Sequence, residues 1–228
     1  MRSRPGRPGR KARYHHGDLR RALLAQAEAL VAEEGLSALT LREVARRSGV
    51  SQAAPYRHFP SKLALIAAVA EEGFGEMLAR VRRALARAPR EHGARLAALS
   101  AAYVRFAVDH PARFRVMFGR EVAESHGYAG LWNVAQEGFG LLVGEIVDAQ
   151  EAKVLPGDDP RGPALAAWSA THGLALLLVD GLLARQGLAG PGRSVEALAR
   201  EVTASLLDGL RHRPARAHRP RRASRTPK

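Results

Sequence analysis

The chain has 228 residues, no cysteine and a formal net charge of +14. That length allows one or two domains with a substantial core, and the lack of cysteine excludes a disulfide framework and any thiolate metal site. The charge is concentrated at the ends: residues 1–13 carry +6, residues 211–228 carry +8, neither stretch holds an acid, and residues 14–210 are formally neutral.

The high pI therefore describes two tails and not a basic globular body. Their Pro/Gly-rich basic composition predicts disorder and non-specific attraction to DNA phosphates, although a solvated tail that aids solubility fits equally well. The start, MRSRPGRPGR, has no apolar segment behind it, which argues against a secretory signal. A first helix is expected over 18–34, capped by Asp18. Leu19, Leu23, Ala27, Leu30 and Val31 form one apolar face, and Gly35 ends it. His15 and His16 stand side by side without a set of metal-ligand partners, so no metal site is expected.

Residues 39–62, LTLREVARRSGVSQAAPYRHFPSK, read as a helix-turn-helix followed by the start of a third helix. Thr40 and Glu43 form a Thr-x-x-Glu capping box, in which the hydroxyl takes the Glu43 amide and the carboxylate reaches back. Val44 and Ala45 face inward. Gly49 takes the left-handed corner that only glycine enters at no steric cost, and Val50 fills the corner. Ser51 caps a second helix carrying Gln52, Ala53, Ala54, Tyr56, Arg57 and His58. Phe59 returns to the core, Pro60 stops the helix and Ser61 caps the next. Such a unit lays its second helix in the major groove. Gln52 can bond adenine bidentately and Ala53 can touch a thymine methyl. Tyr56, Arg57, His58 and Lys62 can bond phosphates, which position the protein without specifying sequence. A helical hairpin in any all-α core is the plainer reading of a helix–Gly–helix pattern.

At these residues the chain resembles the DNA-binding domain of the TetR family of bacterial repressors. The resemblance covers residues 17–65 and rests on Thr40-Leu41-Arg42-Glu43-Val44-Ala45, Gly49-Val50-Ser51, Tyr56-Arg57-His58-Phe59 and Ser61-Lys62-x-x-Leu65. It implies DNA contact through Thr40, Arg42, Ser51, Gln52, Ala53, Tyr56, Arg57, His58 and Lys62. Pro55 stands where many relatives carry leucine. It disfavours the α conformation at Ala54 and so affects the pitch of the reading helix. An arm at 1–13, just ahead of such a domain, is placed to enter the minor groove, where arginine is favoured.

From Ser61 a longer helix is expected to run to about Ala86, with Ile66, Ala70, Phe74, Met77, Val81 and Leu85 on one face. Such a helix is a mechanical lever between two sites. Ala88-Pro89-Arg90 breaks the pattern. A helix over 92–118 follows, with Leu96, Leu99, Tyr103 and Phe106 inward. Asp109-His110-Pro111 interrupts it ahead of a short segment with Phe114, Met117 and Phe118. Residues 119–127 read as a loop. A helix over 128–152 carries Leu131, Ala135, Leu142, Ile146 and Ala149, with Trp132 and Phe139 nearby. LPGDDPRGP is a linker. Residues 163–185 are the most apolar stretch and long enough to span a bilayer. His172 and Asp180 argue against that and favour a helix buried on all sides, one face toward its own core and the other toward a partner subunit. Ser194 caps a last helix with Val195, Leu198, Val202, Leu206 and Leu210. The two would form a four-helix bundle across a two-fold axis.

Trp168-Ser-Ala-Thr-His172-Gly173 resembles the tryptophan…histidine-glycine motif of one class of TetR C-terminal domains, a resemblance that covers much of residues 92–210. It implies a ligand-binding and dimerisation domain. Together the two resemblances imply an all-α protein: a basic arm (1–13), a helix-turn-helix domain (14–65), a helical ligand-binding and dimerisation domain (66–212) and a basic tail (213–228). The function expected is a cytoplasmic, nucleoid-associated, homodimeric repressor, released from a palindromic operator by a small molecule. Dimerisation would run through helices at about 163–185 and 194–211. Candidate pocket residues are Tyr103, Phe106, Met117, Trp132, Phe139, Trp168 and His172, each of which plain core packing would also explain. No cofactor, metal or membrane contact is expected. An enzyme is the second class, but the sequence has no nucleophile elbow, phosphate loop or HExxH site to support it. An architectural DNA binder that relies on its tails is the third.

Overall fold

The computed structural model describes residues 16–190 and 192–212. The arm at 1–13, the tail at 213–228 and the side chain of Asp18 lie outside them. Among the described residues every regular element is helical. The longer helices are α1 (His16–Glu34), α2 (Leu41–Arg47), α3 (Lys62–Arg87), α4 (His92–Asp109), α5 (Pro111–Met117), α6 (Arg120–Ala123), α7 (Ala129–Glu151), α8 (Arg161–Val179), α9 (Leu182–Arg185) and α10 (Val195–Arg211). Single 3₁₀ turns lie at Leu36–Ala38 and Pro55–Arg57. The described residues divide into two compact units, one of residues up to 73 with 112–132, the other of 74–111 with 133 onward.

In the first unit, α1 begins two residues ahead of the expected start, so Asp18 lies inside its first turn and is not its cap. Leu23, Leu24, Ala27 and Leu30 of α1 are buried, as are Leu41, Val44 and Ala45 of α2, Phe59, and Leu65 and Ile66 of α3. Each of the buried Leu, Val, Ile and Phe side chains contributes roughly 1.5–3 kcal/mol, and each alanine less. α2 has only seven residues and is too short to persist alone; its buried face and its caps hold it. The stretch 112–132 belongs to this unit. Met117 is buried against Gly73, where an added Cβ would meet Met117 Sδ at 2.6 Å, and Arg113 is ion-paired with Glu28. The expected loop at 119–127 contains a helical turn, α6.

In the second unit, α4, α8 and α10 pack on one another. Val81 and Leu85 of α3, Leu96 and Leu99 of α4, Leu142, Ile146 and Ala149 of α7 and Leu207 and Leu210 of α10 share one core with Ala164 and Ala167 of α8. Arg95 of α4 forks onto Glu145 of α7, Nε to Oε2 at 2.7 Å and Nη2 to Oε1 at 2.6 Å. Arg105 does the same with Glu196 of α10 at 2.9 and 3.0 Å. The helix expected over 163–185 is two helices. It breaks at Asp180–Gly181, where Gly181 is left-handed with φ 68°. α8 is long and apolar enough to cross a membrane by length and composition. It packs through Ala164, Ala167, Thr171, Leu174 and Ala175, but the all-round burial expected is not observed within one chain: Leu165 is 57% exposed and Leu177 40%.

Candidate nucleic-acid interface and aromatic cluster

The turn between α2 and α3 is built by three local devices. The Thr40 hydroxyl accepts from the Glu43 amide at 3.1 Å and starts α2. Gly49 takes φ 66° and ends it, and the Val50 amide closes the corner on the Ala45 carbonyl at 3.1 Å. The Ser61 hydroxyl accepts from the Ala64 amide at 3.1 Å and starts α3. Between them the expected second α-helix is a tighter structure, a turn over 52–54 followed by a 3₁₀ turn at Pro55–Arg57. Proline has no N–H to reach the Ser51 carbonyl. That carbonyl instead accepts from Ala54 at 3.0 Å, and the Ala54 carbonyl from Arg57 at 3.3 Å. Ala54 itself keeps helical dihedrals, φ −62° and ψ −44°. The 3₁₀ turn has no side-chain cap, so Ser51 contributes through its backbone and not as the expected hydroxyl cap.

Pro55 and Phe59 face the core of this unit, and the Arg20 guanidinium stacks on the Phe59 ring at 5.6 Å. The rest of the turn faces solvent: Ser51, Gln52, Ala53, Tyr56 and Arg57 are exposed and His58 half-buried, with Thr40, Arg42 and Lys62 exposed on the flanking helix starts. Lys62 Nζ donates to the Leu36 carbonyl at 3.2 Å, which ties the start of α3 to the chain between α1 and α2. The nine residues assigned to DNA from the sequence thus lie on one short stretch and its flanks.

The Glu43 carboxylate does not turn back to the Thr40 amide as a capping box requires. It takes Arg46 bidentately, Nε at 2.8 Å and Nη2 at 2.6 Å, and Arg47 Nε at 3.1 Å. The Arg46 hydrogen bonds, then those of Arg47, hold its pKa at about 2. Arg47 reaches on to α1: Nη1 bonds Glu33 at 2.6 Å and Nη2 bonds Glu34. Sequence reading missed this cluster. The Glu43–Arg47 spacing of four is a legible signal, but nothing local points to Glu33 and Glu34.

In the second unit, four of the seven candidate pocket residues come together. The Tyr103 hydroxyl and His172 Nδ1 are 2.8 Å apart. Trp168 lies beside His172 at 6.1 Å and edge-on to Phe139 at 5.8 Å between ring centroids. The donor between the Tyr103 hydroxyl and Nδ1 is set by the tautomer of His172. Burial lowers its pKa and raises that of Tyr103, which keeps the cluster uncharged. Phe139 is 41% exposed and Trp168 38%. Phe106 is fully buried under the Arg80 guanidinium. Met117 and Trp132 belong to the first unit, where Trp132 Nε1 donates to the Ser125 carbonyl at 3.0 Å. Near the cluster, a cavity of about 10 Å³ lies among α4, α7, α8 and α10, room for about one water. Its polar lining is hydroxyl only: Ser100, Thr171 and Thr203, with Ser100 and Thr171 bonded at 3.1 Å. Among the described residues no group of three or more His, Asp or Glu is placed to hold a metal ion.

Residues 23–69 match the family model described as bacterial regulatory proteins, tetR family, and residues 96–212 match that of the tetracyclin repressor-like C-terminal domain. The nucleoid occlusion factor SlmA of Vibrio cholerae is 41% identical over 61 residues, 27% of this chain; the match spans about a third (31%) of that relative's length. Among solved structures, a protein of unknown function from Rhodococcus sp. RHA1 is 36% identical, with 88% of this chain and 100% of that chain covered and a TM-score of 0.74. The TetR family regulator PfmR from Thermus thermophilus is 20% identical, with 82% and 98% covered and a TM-score of 0.60, which speaks for the fold alone.

Proposed function

The chain belongs to the TetR family, with a helix-turn-helix DNA-binding domain and a C-terminal helical domain, and on that premise we propose that it is a homodimeric repressor released from a palindromic operator by a small molecule. The observation that carries the reading is the solvent-facing side of 51–58, Ser51, Gln52, Ala53, Tyr56 and Arg57, held between the glycine corner at Gly49 and the capped start of α3. Gln52 and Ala53 are the base readers, and Arg42, Tyr56, Arg57, His58 and Lys62 the phosphate contacts. Thr40 and Ser51 sit at helix and turn starts, where backbone amides meet phosphate.

Dimerisation uses the outer faces of α8 and α10. Leu165 and Leu177 are exposed on α8, with Ala166, Ser169 and Gly173 between them, and Ala204, Ser205 and Gly209 are on the outer face of α10. Small residues there let two helix pairs approach closely. A two-fold dimer sets its reading turns in successive major grooves, about 34–36 Å apart. An effector seated by Tyr103, Phe139, Trp168 and His172 releases DNA only if it binds better to a dimer with another spacing. Such a protein works in the cytoplasm, at the nucleoid. The test is selection of bound duplexes from a random pool by the full-length protein at physiological ionic strength, since salt sets the non-specific background. A two-fold symmetric consensus is expected. Enrichment without a consensus would replace this reading with a tail-driven architectural binder.

A further inference from the structure

Three basic residues near the reading turn, Arg42, Arg46 and Arg47, lie on one short helix, and only their surroundings distinguish them. Arg47 is the least exposed ion-paired residue there, its side chain at 16%, and all three of its guanidinium nitrogens are engaged by carboxylates: Nε by Glu43, Nη1 by Glu33 and Nη2 by Glu34. Two of those acids belong to the last turn of α1 and one to the first turn of α2. Carboxylates at a helix C-terminus are opposed by the helix dipole, and a cation there is favoured. Glu33 and Glu34 therefore gain from Arg47, and Arg47 gains from its place in the last turn of α2. With Arg46 also on Glu43, three acids face two bases, and the cluster carries a net charge of −1.

Two consequences follow. First, a guanidinium forked across two helices fixes the rotation of α2 about its own axis, which the three small-to-medium buried side chains Leu41, Val44 and Ala45 define less sharply. α2 runs through only Ser48–Val50 into the reading turn, so its rotation sets where Gln52 and Ala53 point. Second, a cation already neutralised by three carboxylates makes no phosphate contact and releases no counterion. We propose that Arg47 is a positioning residue for DNA reading: it clamps α2 to the end of α1 through Glu33, Glu34 and Glu43, and it governs sequence discrimination without touching DNA. The proposal rests on the DNA-reading role given to residues 51–58 above.

Two variants of the full-length protein test it, each measured for affinity against the selected consensus duplex and against the unselected random pool, over a range of salt. Arg47→Met is expected to weaken consensus binding roughly tenfold more than random-pool binding, the size of one lost base contact, with the salt slope unchanged. A phosphate contact would instead cut the slope by about 0.9 and weaken both duplexes alike, which would overturn the proposal. The double variant Glu33→Gln/Glu34→Gln separates the readings by sign. It removes two negative charges, so simple electrostatics strengthens binding to every duplex. A broken clamp weakens consensus binding while random-pool binding rises. If both rise together, or if neither variant changes the ratio of consensus to random affinity, Arg47 has no positioning role. Thermal melts of each variant, run alongside, keep binding assays below the onset of unfolding. Failure to select any consensus in the first place sinks the DNA-reading assignment and not this clamp alone.

Discussion

The fork between Arg95 and Glu145 offers the sharpest test of the packing in the second unit. The Glu145 side chain is 7% exposed and that of Arg95 27%, and Arg95 Nη1 also donates to the Leu85 carbonyl at 3.3 Å. Arg95→Met leaves a buried carboxylate with no counter-charge. Breaking a buried pair costs about 3–5 kcal/mol, and the quarter of Arg95 open to water reduces that to about 2–4 kcal/mol. For a domain of this size the melting temperature falls about 2–4 °C per kcal/mol, so a drop of roughly 5–15 °C is expected. Glu145→Leu costs less, because the freed guanidinium can turn to solvent and keep its bond to Leu85. The double variant Arg95→Met/Glu145→Leu is expected to return to within about 1–2 kcal/mol of the parent, since a well-packed apolar pair commonly replaces a buried ion pair at little cost. The assay is thermal and urea unfolding of the full chain by far-UV circular dichroism, with protein concentration held constant because any self-association would shift apparent stability. A double variant as unstable as Arg95→Met would refute the reasoning, for it would mean that shape and not charge sets the cost.

Gln52→Ala is expected to relax preference at one base pair of each half-site by roughly 1–3 kcal/mol, read by repeating the sequence selection; an unchanged consensus would remove Gln52 from base reading. Arg57→Gln is expected to weaken consensus and random duplexes alike and to lower the salt slope by about one. Burial lowers the His172 pKa from its usual value near 6.5, so the unfolded chain binds the extra proton more readily. The stability this contributes is complete above about pH 6.5 and is lost as pH falls through that value toward the lower folded pKa. Urea midpoints of the parent should fall between pH 7.5 and 5.5, and His172→Phe should flatten that dependence. Deleting residues 2–13, which carry +6, should lower the salt slope by several units and leave the consensus unchanged; an unaltered slope would assign the arm to solubility.

What was legible in the sequence was whatever a few neighbouring residues decide. Thr40, Gly49 and Ser61 announce their caps and corner because each acts on backbone groups within four positions. Pro55 signalled trouble in the reading helix, and the 3₁₀ turn is its result, since a missing N–H is local too. The break at Gly181 was hidden inside an apolar run: periodicity registers side chains, and a left-handed glycine after Asp180 interrupts the backbone without changing the hydropathy. The return of 112–132 to the first unit had no local signal. Its contacts, Arg113 with Glu28 and Met117 with Gly73, join residues 85 and 44 positions apart. Among the aromatics, the Trp168–His172 pair was readable from its spacing of four. That the Tyr103 hydroxyl meets His172 was not, because it comes from another helix.

The charges show how such a chain divides its labour. In the first unit Arg20, Arg46, Arg47 and Arg113 are tied to carboxylates of the same unit, whereas Arg42, Arg57 and Lys62 are the cations proposed to meet phosphate. Geometry and attraction make opposite demands. A base reader must be held to within a fraction of an ångström, which internal ion pairs help to do, whereas a phosphate attracts any nearby cation with little regard to angle. Attraction can therefore be carried by residues 1–13 and 211–228, whose charges equal the whole net charge of the protein. At physiological salt that attraction is screened beyond about 8 Å, so it acts once DNA is close and bears equally on every sequence. Absolute affinity should then follow the tails together with Arg42, Arg57 and Lys62, while the ratio between consensus and random DNA follows Gln52, Ala53 and the clamp at Arg47. A tail deletion that changed that ratio as much as it changed the affinity would show that the two roles are not separable in this chain.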